Sequence, residues 1–263
     1  MLTVTDELDG VTTYEYDWLG RLVGVTDAED GLTEYAYDAA DDLVSMTDAL
    51  LKVTEYEYDD THLLTKVIDA LDGETEYDYD AAGRLVERED ARGNSETYGY
   101  DAAGRPTTVT DPLSHEWLTV YDAAGRVDHT IDPEDRETTY AYDPLGRIET
   151  VTPDSGPAIS YVWDLTGRRT SMTDGSGTTT YGYDPVGRLT SNARGGRTVG
   201  YAYDDAGRTT SVSYPGSLGT VALGHDAEGR LATVSDWDAR VTTLGYDALD
   251  RVTSITRPAG LVT

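Results

Sequence analysis

The sequence has no cysteine and no phenylalanine, and its only lysines are Lys52 and Lys66. Without cysteine there is no disulfide framework, no thiolate nucleophile and no cysteine-ligated metal site. No apolar run approaches the ~18 residues of a membrane-crossing helix, so membrane insertion by a helix is not expected. The opening MLTVTDELDG is acidic and has no apolar segment of the kind a secretion signal carries. Gly, Asp and Pro recur too closely for any helical run of about 10–12 residues. A G-x-S-x-G elbow, a phosphate-binding glycine loop, an EF-hand loop and a Gly-rich calcium repeat are all missing. The four histidines, His62, His115, His129 and His225, show no metal-ligand spacing. No catalytic group, cofactor or metal site is expected, and the chain does not read as an enzyme.

Positive charge is scarce as well. Against 34 Asp and 16 Glu stand 18 Arg and the two lysines, for a net charge of −30. A field of that sign repels nucleic acid and anionic lipid, so neither is an expected partner. Twenty of the 34 Asp occupy two fixed positions of a repeat. The acidity therefore reads first as turn chemistry.

That repeat dominates the sequence. A Tyr-Asp pair, or its equivalent, places Asp at 17, 38, 59, 80, 101, 122, 143, 164, 184, 204, 226 and 247, with spacings of 21 seven times, then 20, 20, 22 and 21. Periods of 20–50 residues mark stacked repeat architectures. Twelve units cover residues 1–263 with no linker and no second composition. The position before the Asp is Tyr in ten units, Trp163 in one and His225 in one. Gly follows three later in nine units and Arg four later in ten.

Each slot has a physical reading. In GVTTYEYD, Tyr14 and Tyr16 share one face with Thr12, and Val11, Thr13 and Glu15 share the other, which is a strand. Asp-x-x-Gly is a type I turn: Asp17 caps it, Gly20 takes positive φ, and Pro144 and Pro185 stand at the second position. Arg21 opens a returning strand, RLVGVTD, that ends in a second turn of the same grammar. The corresponding slots are Tyr77, Tyr79, Asp80, Gly83 and Arg84; Tyr140, Tyr142, Asp143, Gly146 and Arg147; and Tyr181, Tyr183, Asp184, Gly187 and Arg188. The expected fold is all-β: tandem hairpins, about 24 antiparallel strands in one continuous sheet that curls into a spiral, hollow shell or tube. Leu22 and Val25, three apart in the returning strand, are oddly spaced for a strand; a bulge between them would reconcile the spacing, though the sequence does not prove one. The ten arginines are expected to pair with Asp of the next unit.

The repeated Tyr-x-Tyr-Asp-x-x-Gly-Arg-Leu…Thr-Asp resembles the YD repeat of the Rhs family, across all twelve units. The family includes bacterial polymorphic toxins, shells of insecticidal toxin complexes, wall-associated proteins and teneurins. The resemblance implies a β-sheet wound into a hollow shell, which in the toxins encloses a C-terminal toxic domain. It also implies an extracellular or cell-surface location. Asp41-Asp42, Thr61-His62-Leu63 and Asp250 depart from the Gly-Arg pattern.

The sequence begins and ends mid-hairpin: Met1–Asp6 aligns with Leu22–Asp27, and RPAGLVT starts another hairpin. Partners are thus expected to be a second copy joined end to end, or flanking parts of a longer chain. The first functional expectation is a structural wall. Alternatives are an end-to-end filament and an adhesion or glycan-binding module. Trp163 sits in a Tyr slot and reads as structural. Trp18 and Trp237 fall in turns and are the candidates for surface contact.

Overall fold

The chain was analysed as a computed structural model that describes residues 1–5 and 10–258. It is all-β, with 25 strands of four to seven residues and, among the described residues, one helical piece, the 3-10 turn Gly216–Leu218. The last part of RPAGLVT lies outside the described residues.

Two compact units divide the chain at Asp135/Arg136. In the first, every strand from Leu2–Thr5 to Val127–Ile131 pairs antiparallel with its neighbour in sequence. The second repeats this from Glu137–Tyr142 to Val252–Thr256. The tandem-hairpin expectation holds, and each unit is a continuous meander.

The bulge is found in all twelve hairpins that follow a Tyr-Asp turn. In the first, Tyr16 opposes Leu22 while Glu15 opposes Gly24, so Val23 is the extra residue. Tyr14 opposes Val25. The shift puts Leu22 and Val25 on the tyrosine face, and so resolves the odd spacing of three. Each later unit repeats it, as in Tyr79 opposite Leu85 and Asp78 opposite Glu87.

Irregular spacings follow from the second turn. Asp174 pairs directly with Gly177, and Arg194 with Arg197, so each connection has only two residues and its repeat shortens to 20. Gly195 and Gly196 supply φ values of 57° and 75°, the geometry a two-residue hairpin loop requires. The longer 22-residue repeat contains the 3-10 turn Gly216–Leu218.

Among the described residues no hydrophobic side chain is buried. The accessible surface is 17122 Å² for 28.6 kDa. A compact monomer of that mass exposes about 11,000 Å². Each unit is a sheet one layer thick, so its stability comes from neighbouring hairpins rather than from a core. Alternation along a strand shows the two faces: in Leu32–Tyr37, Thr33, Tyr35 and Tyr37 are half-buried while Leu32, Glu34 and Ala36 are exposed.

Candidate functional site: the lateral ladder

The residues singled out by the repeat meet along one edge of the hairpins. The turn comes first. Asp17 accepts Gly20 N–H on its backbone oxygen (3.1 Å), while its Oδ1 accepts Leu19 N–H (2.9 Å) and Arg21 N–H (3.0 Å). Arg21 Nε then donates to Asp17 Oδ2 at 2.7 Å. The same fork recurs at Asp80–Arg84, Asp143–Arg147 and Asp184–Arg188, with Nε–Oδ2 distances of 2.7, 2.6 and 2.6 Å. Gly20, Gly83, Gly146 and Gly187 have φ of 85°, 75°, 78° and 94°. Tyr14 and Tyr16, Tyr77 and Tyr79, Tyr140 and Tyr142, and Tyr181 and Tyr183 line the tyrosine face of their strands.

Asp41, His62 and Asp250 stand in the glycine slot and still adopt φ of 73°, 65° and 63°. Asp and His are among the side chains that tolerate this region best. Gly104, at φ 80°, is an ordinary member of the series. Gly104→Ala should destabilise the protein by about 1–2 kcal/mol. Gly104→Asp should cost less than the Ala variant, because at the two Asp slots the carboxylate meets the preceding arginine (Arg21–Asp41 2.6 Å, Arg230–Asp250 2.7 Å). Thermal unfolding of both variants checks the order.

Two contacts then tie each hairpin to the next. The tyrosine before the anchor Asp donates its hydroxyl to a backbone carbonyl of the preceding unit: Tyr79 to Leu64 O (2.9 Å), Tyr100 to Leu85 O (2.8 Å), Tyr183 to Arg169 O (2.9 Å) and Tyr246 to Leu231 O (2.8 Å). Trp163 makes the same bond with its indole N–H, to Ile148 O at 2.8 Å. Its presence in a Tyr slot is thus explained by a shared donor.

The arginine makes the second contact. Its guanidinium lies over the ring of the next unit: Arg21 over Tyr37 at 4.9 Å, Arg84 over Tyr100 at 4.7 Å, Arg105 over Tyr121 at 4.3 Å, and Arg188 over Tyr203 at 4.7 Å. Nη1 reaches the carbonyl of the next anchor Asp, as in Arg147 to Asp164 O (2.8 Å) and Arg188 to Asp204 O (3.0 Å). The expected ladder of ion pairs between units is therefore corrected. The regular carboxylate partner belongs to the arginine's own turn, because Nε and Oδ2 are already aligned there. What crosses to the next hairpin is a cation–π contact and a carbonyl bond. Carboxylate pairing of this slot with the next hairpin occurs where the glycine slot holds Asp41 or Asp250.

The turn carboxylates respond to this setting. The Arg84 guanidinium, followed by the Arg84 N–H, holds Asp80 below the ordinary carboxylate value. Asp101 is lowered in the same way by Arg105. For Asp164 the Arg168 N–H contributes most among the lowering bonds and outweighs the opposing effect of partial burial. In the second turn of that hairpin, Arg194 and then Ser176 lower Asp174 to about 2.

The opposite face differs between the units. Glu15, Glu34, Glu55, Glu57 and Glu76 lie on it in the first, and Asp78 stands directly across from Glu87. Lys66 answers two of these charges, at 2.8 Å from both Glu74 and Glu76. In the second unit the positions equivalent to Glu34, Glu55 and Glu76 are small and neutral, for example Thr139, Ser160 and Thr180.

The two turn tryptophans lie apart from the ladder, one in each unit. Trp18 is 89% exposed. Trp237 is held by an edge-on contact with Tyr214 (6.5 Å between centroids) and by Gly219, where a Cβ would fall 2.6 Å from the Trp237 Cβ. Among the described residues no group of His, Asp or Glu is arranged to hold a metal ion.

Comparison with known proteins agrees with this geometry. The RHS Repeat profile matches residues 19–50, 37–75, 58–95 and 79–115. The Teneurin YD-shell profile matches residues 120–262. No curated protein matches the sequence. Among solved structures, the chain is similar to the TcdB2-TccC3-TEV complex (TM-score 0.57, 17% identity), where the match covers 99% of this chain and 19% of the other. The TcdB2-TccC3-Cdc42 complex is similar too (TM-score 0.56, 16% identity, 98% of this chain and 19% of the other). So is the Tc holotoxin pore of Photorhabdus luminescens (TM-score 0.50, 15% identity, 97% and 19%). The chain thus spans about a fifth of the length of the chains it matches, and at these identities the likeness concerns the fold. The repeat profiles lead to one statement: the chain belongs to the Rhs/YD-repeat family, with YD-shell repeats over residues 120–262.

Proposed function

We propose that the chain is a length of structural wall, a stretch of β-repeat that coils to form part of a hollow shell. The observation that carries this reading is the lateral ladder. The same three contacts, arginine to its own Asp, arginine over the next tyrosine, and tyrosine hydroxyl to the preceding carbonyl, recur from hairpin to hairpin without a buried core. Such a layer gains stability by extension, and its twist forces a wide sheet to coil rather than lie flat. The family and fold are those of structural repeats, which fits the lack of any catalytic arrangement in the sequence. On this reading residues 1–263 act as one array, the Tyr, Asp, Gly and Arg slots are its anchors, and it joins flanking wall segments. The expected location is extracellular or at the cell surface.

A second reading rests on the exposed terminal strands. All residues of Leu2–Thr5 and of Val252–Thr256 are exposed, and exposed strands can template association. End-to-end joining of copies would give a filament. Negative-stain electron microscopy of the purified chain separates the two. Discrete curved fragments whose size does not change with concentration support the wall. Filaments that lengthen with concentration overturn it in favour of the polymer.

A further inference from the structure

The array builds its arginine site many times; two units hold another residue in the slot, Asp42, which pairs with His62, and Leu63, which has no charge to pair. A filled site has three parts. At Arg84 these are Asp80 Oδ2 (2.7 Å), the Tyr100 ring (4.7 Å) and the Asp101 carbonyl (3.4 Å). The matching parts one unit earlier are Asp59, Tyr79 and the Asp80 carbonyl, but the arginine slot holds Leu63.

The receptor is nevertheless set. Asp59 Oδ1 accepts Thr61 N–H at 2.7 Å and Leu63 N–H at 3.0 Å, the usual turn bonds. Asp59 N–H donates to Leu63 O at 2.9 Å, and His62 holds the left-handed position. Tyr79 is fixed by its hydroxyl bond to Leu64 O, as Tyr100 is fixed to Leu85 O. Leu63 reaches along the arginine path as far as the next glycine slot: its Cδ1 lies 3.5 Å from the Cβ position of Gly83, much as Arg84 Nη1 lies 3.4 Å from that of Gly104, so it covers one side of the site and leaves the face beside it open. It brings no charge. Beside it opens a cleft of about 690 Å³ lined by Asp59, Thr61, Leu63, Tyr77, Tyr79 and Asp80.

We infer that this cleft binds a guanidinium group from outside the chain, stacked on the Tyr79 ring, paired with Asp59 and bonded to the Asp80 carbonyl. The class of ligand follows from the filled sites, each of which surrounds a guanidinium with a carboxylate, an aromatic ring and a carbonyl. A planar cation that donates in two directions fits these groups, whereas an ammonium meets the carboxylate without the stacking or the forked geometry. Electrostatics agree. Partial burial contributes most to raising the Tyr79 hydroxyl above its ordinary value, and Tyr77 and then the Asp59 carboxylate add to it, so the Asp59 charge is felt at the ring. The chain's charge of −30 adds long-range attraction. The source is an arginine side chain on a partner segment or a small free guanidinium compound, which share this chemistry.

The test is a titration of the full chain, followed by NMR of the Tyr79 ring, with methylguanidinium, methylammonium at equal ionic strength, and a short neutral peptide containing one arginine. A single exposed ion pair and cation–π contact give a dissociation constant on the order of 10 mM for methylguanidinium. The expected result is saturable shifts with methylguanidinium, at least fivefold weaker binding of methylammonium, and loss of saturation in Asp59→Asn, which keeps the turn acceptor and removes the charge. Leu63→Arg restores the family residue; it should fill the site from within, abolish binding and raise the melting temperature. A peptide at least tenfold tighter than methylguanidinium identifies a partner arginine as the occupant, and equal affinity identifies a small compound. Unsaturable shifts, equal response to methylammonium, or unchanged binding in Leu63→Arg would each overturn the proposal.

Discussion

Replacing Trp163 by alanine should lower the stability of the protein by roughly 2–3 kcal/mol, or a melting temperature about 5–10 °C lower. The side chain occupies the ladder position that joins the hairpin Glu137–Pro153 to the hairpin Ile159–Asp174. It stacks near Tyr161 (centroids 6.2 Å apart), lies under Arg147 (5.8 Å) and donates to Ile148 O. Alanine loses the apolar contact and leaves that carbonyl without its donor. Trp163→Tyr should be nearly neutral, since the tyrosines of the other units make the same bond. Trp163→Phe should fall between them, costing about 1 kcal/mol for the unmade hydrogen bond. A Phe variant as stable as the Tyr variant would mean that the hydroxyl and indole bonds to the preceding unit add nothing. In a repeat array the loss is felt by the adjoining hairpins first, so a broadened rather than simply shifted melting curve is the expected signature.

Acid should unfold the protein between about pH 4 and pH 2. The groups concerned are the turn carboxylates. Asp80 and Asp101 are held down first by the guanidinium of their own turn and then by its N–H, and Asp174, at about 2, by Arg194 and Ser176. The sign follows from linkage. A carboxylate whose folded value lies below its unfolded value of 3.8 contributes stability that is complete above that value and is lost as pH falls through the folded value. Repetition makes the effect large, because the same turn is protonated in hairpin after hairpin. A second effect opposes it. The charge of −30, and like pairs such as Asp78 opposite Glu87, repel at neutral pH. Partial protonation relieves that repulsion. Stability should therefore rise from pH 7 to a maximum near pH ~5 and collapse below pH ~4. Circular dichroism during thermal unfolding across this range reads both limbs. Stability that keeps rising down to pH 2 would show that repulsion outweighs the turn carboxylates.

The architecture was legible because the chain repeats. A period of two in GVTTYEYD, an Asp-x-x-Gly turn and an Arg-led return define a hairpin, and twelve copies leave little room for another fold. The separation of Leu22 and Val25 raised the question of a bulge, and the strand register answers it. The lateral contacts were harder to foresee. Nothing in the local pattern says that a tyrosine hydroxyl seeks a carbonyl 14 or 15 residues back, as Tyr203 does at Leu189 and Tyr79 at Leu64. The arginine was assigned to the wrong carboxylate because sequence spacing cannot separate the Asp four residues earlier from one in the next unit. The turn geometry makes that choice, because the same Asp that accepts the Arg N–H also accepts its Nε–H. Trp163 contained the available clue. A residue that shares with tyrosine an aromatic ring and a donor, and little else, marks a slot where both are used.

Departures from the pattern proved as informative as its copies. Asp41 receives Arg21, and Asp42, in an arginine slot, faces His62 in the next glycine slot, with Nδ1 2.6 Å from Oδ2. The rung is kept with its charges reversed. Leu63 offers no charged replacement, and the cleft described above opens beside it.

The central claim is that an ordered single-layer sheet stands without a core, held hairpin to hairpin by its ladder. Amide hydrogen exchange by mass spectrometry on the whole chain tests it most directly. The account predicts strong protection in both strands of every interior hairpin from Leu22 to Tyr246, including strands such as Leu43–Thr47 and Leu189–Arg194 whose residues are only half-buried. Fast exchange is predicted in the turns. Protection limited to scattered hairpins, with intervening strands exchanging as freely as the turns, would contradict a continuous wall.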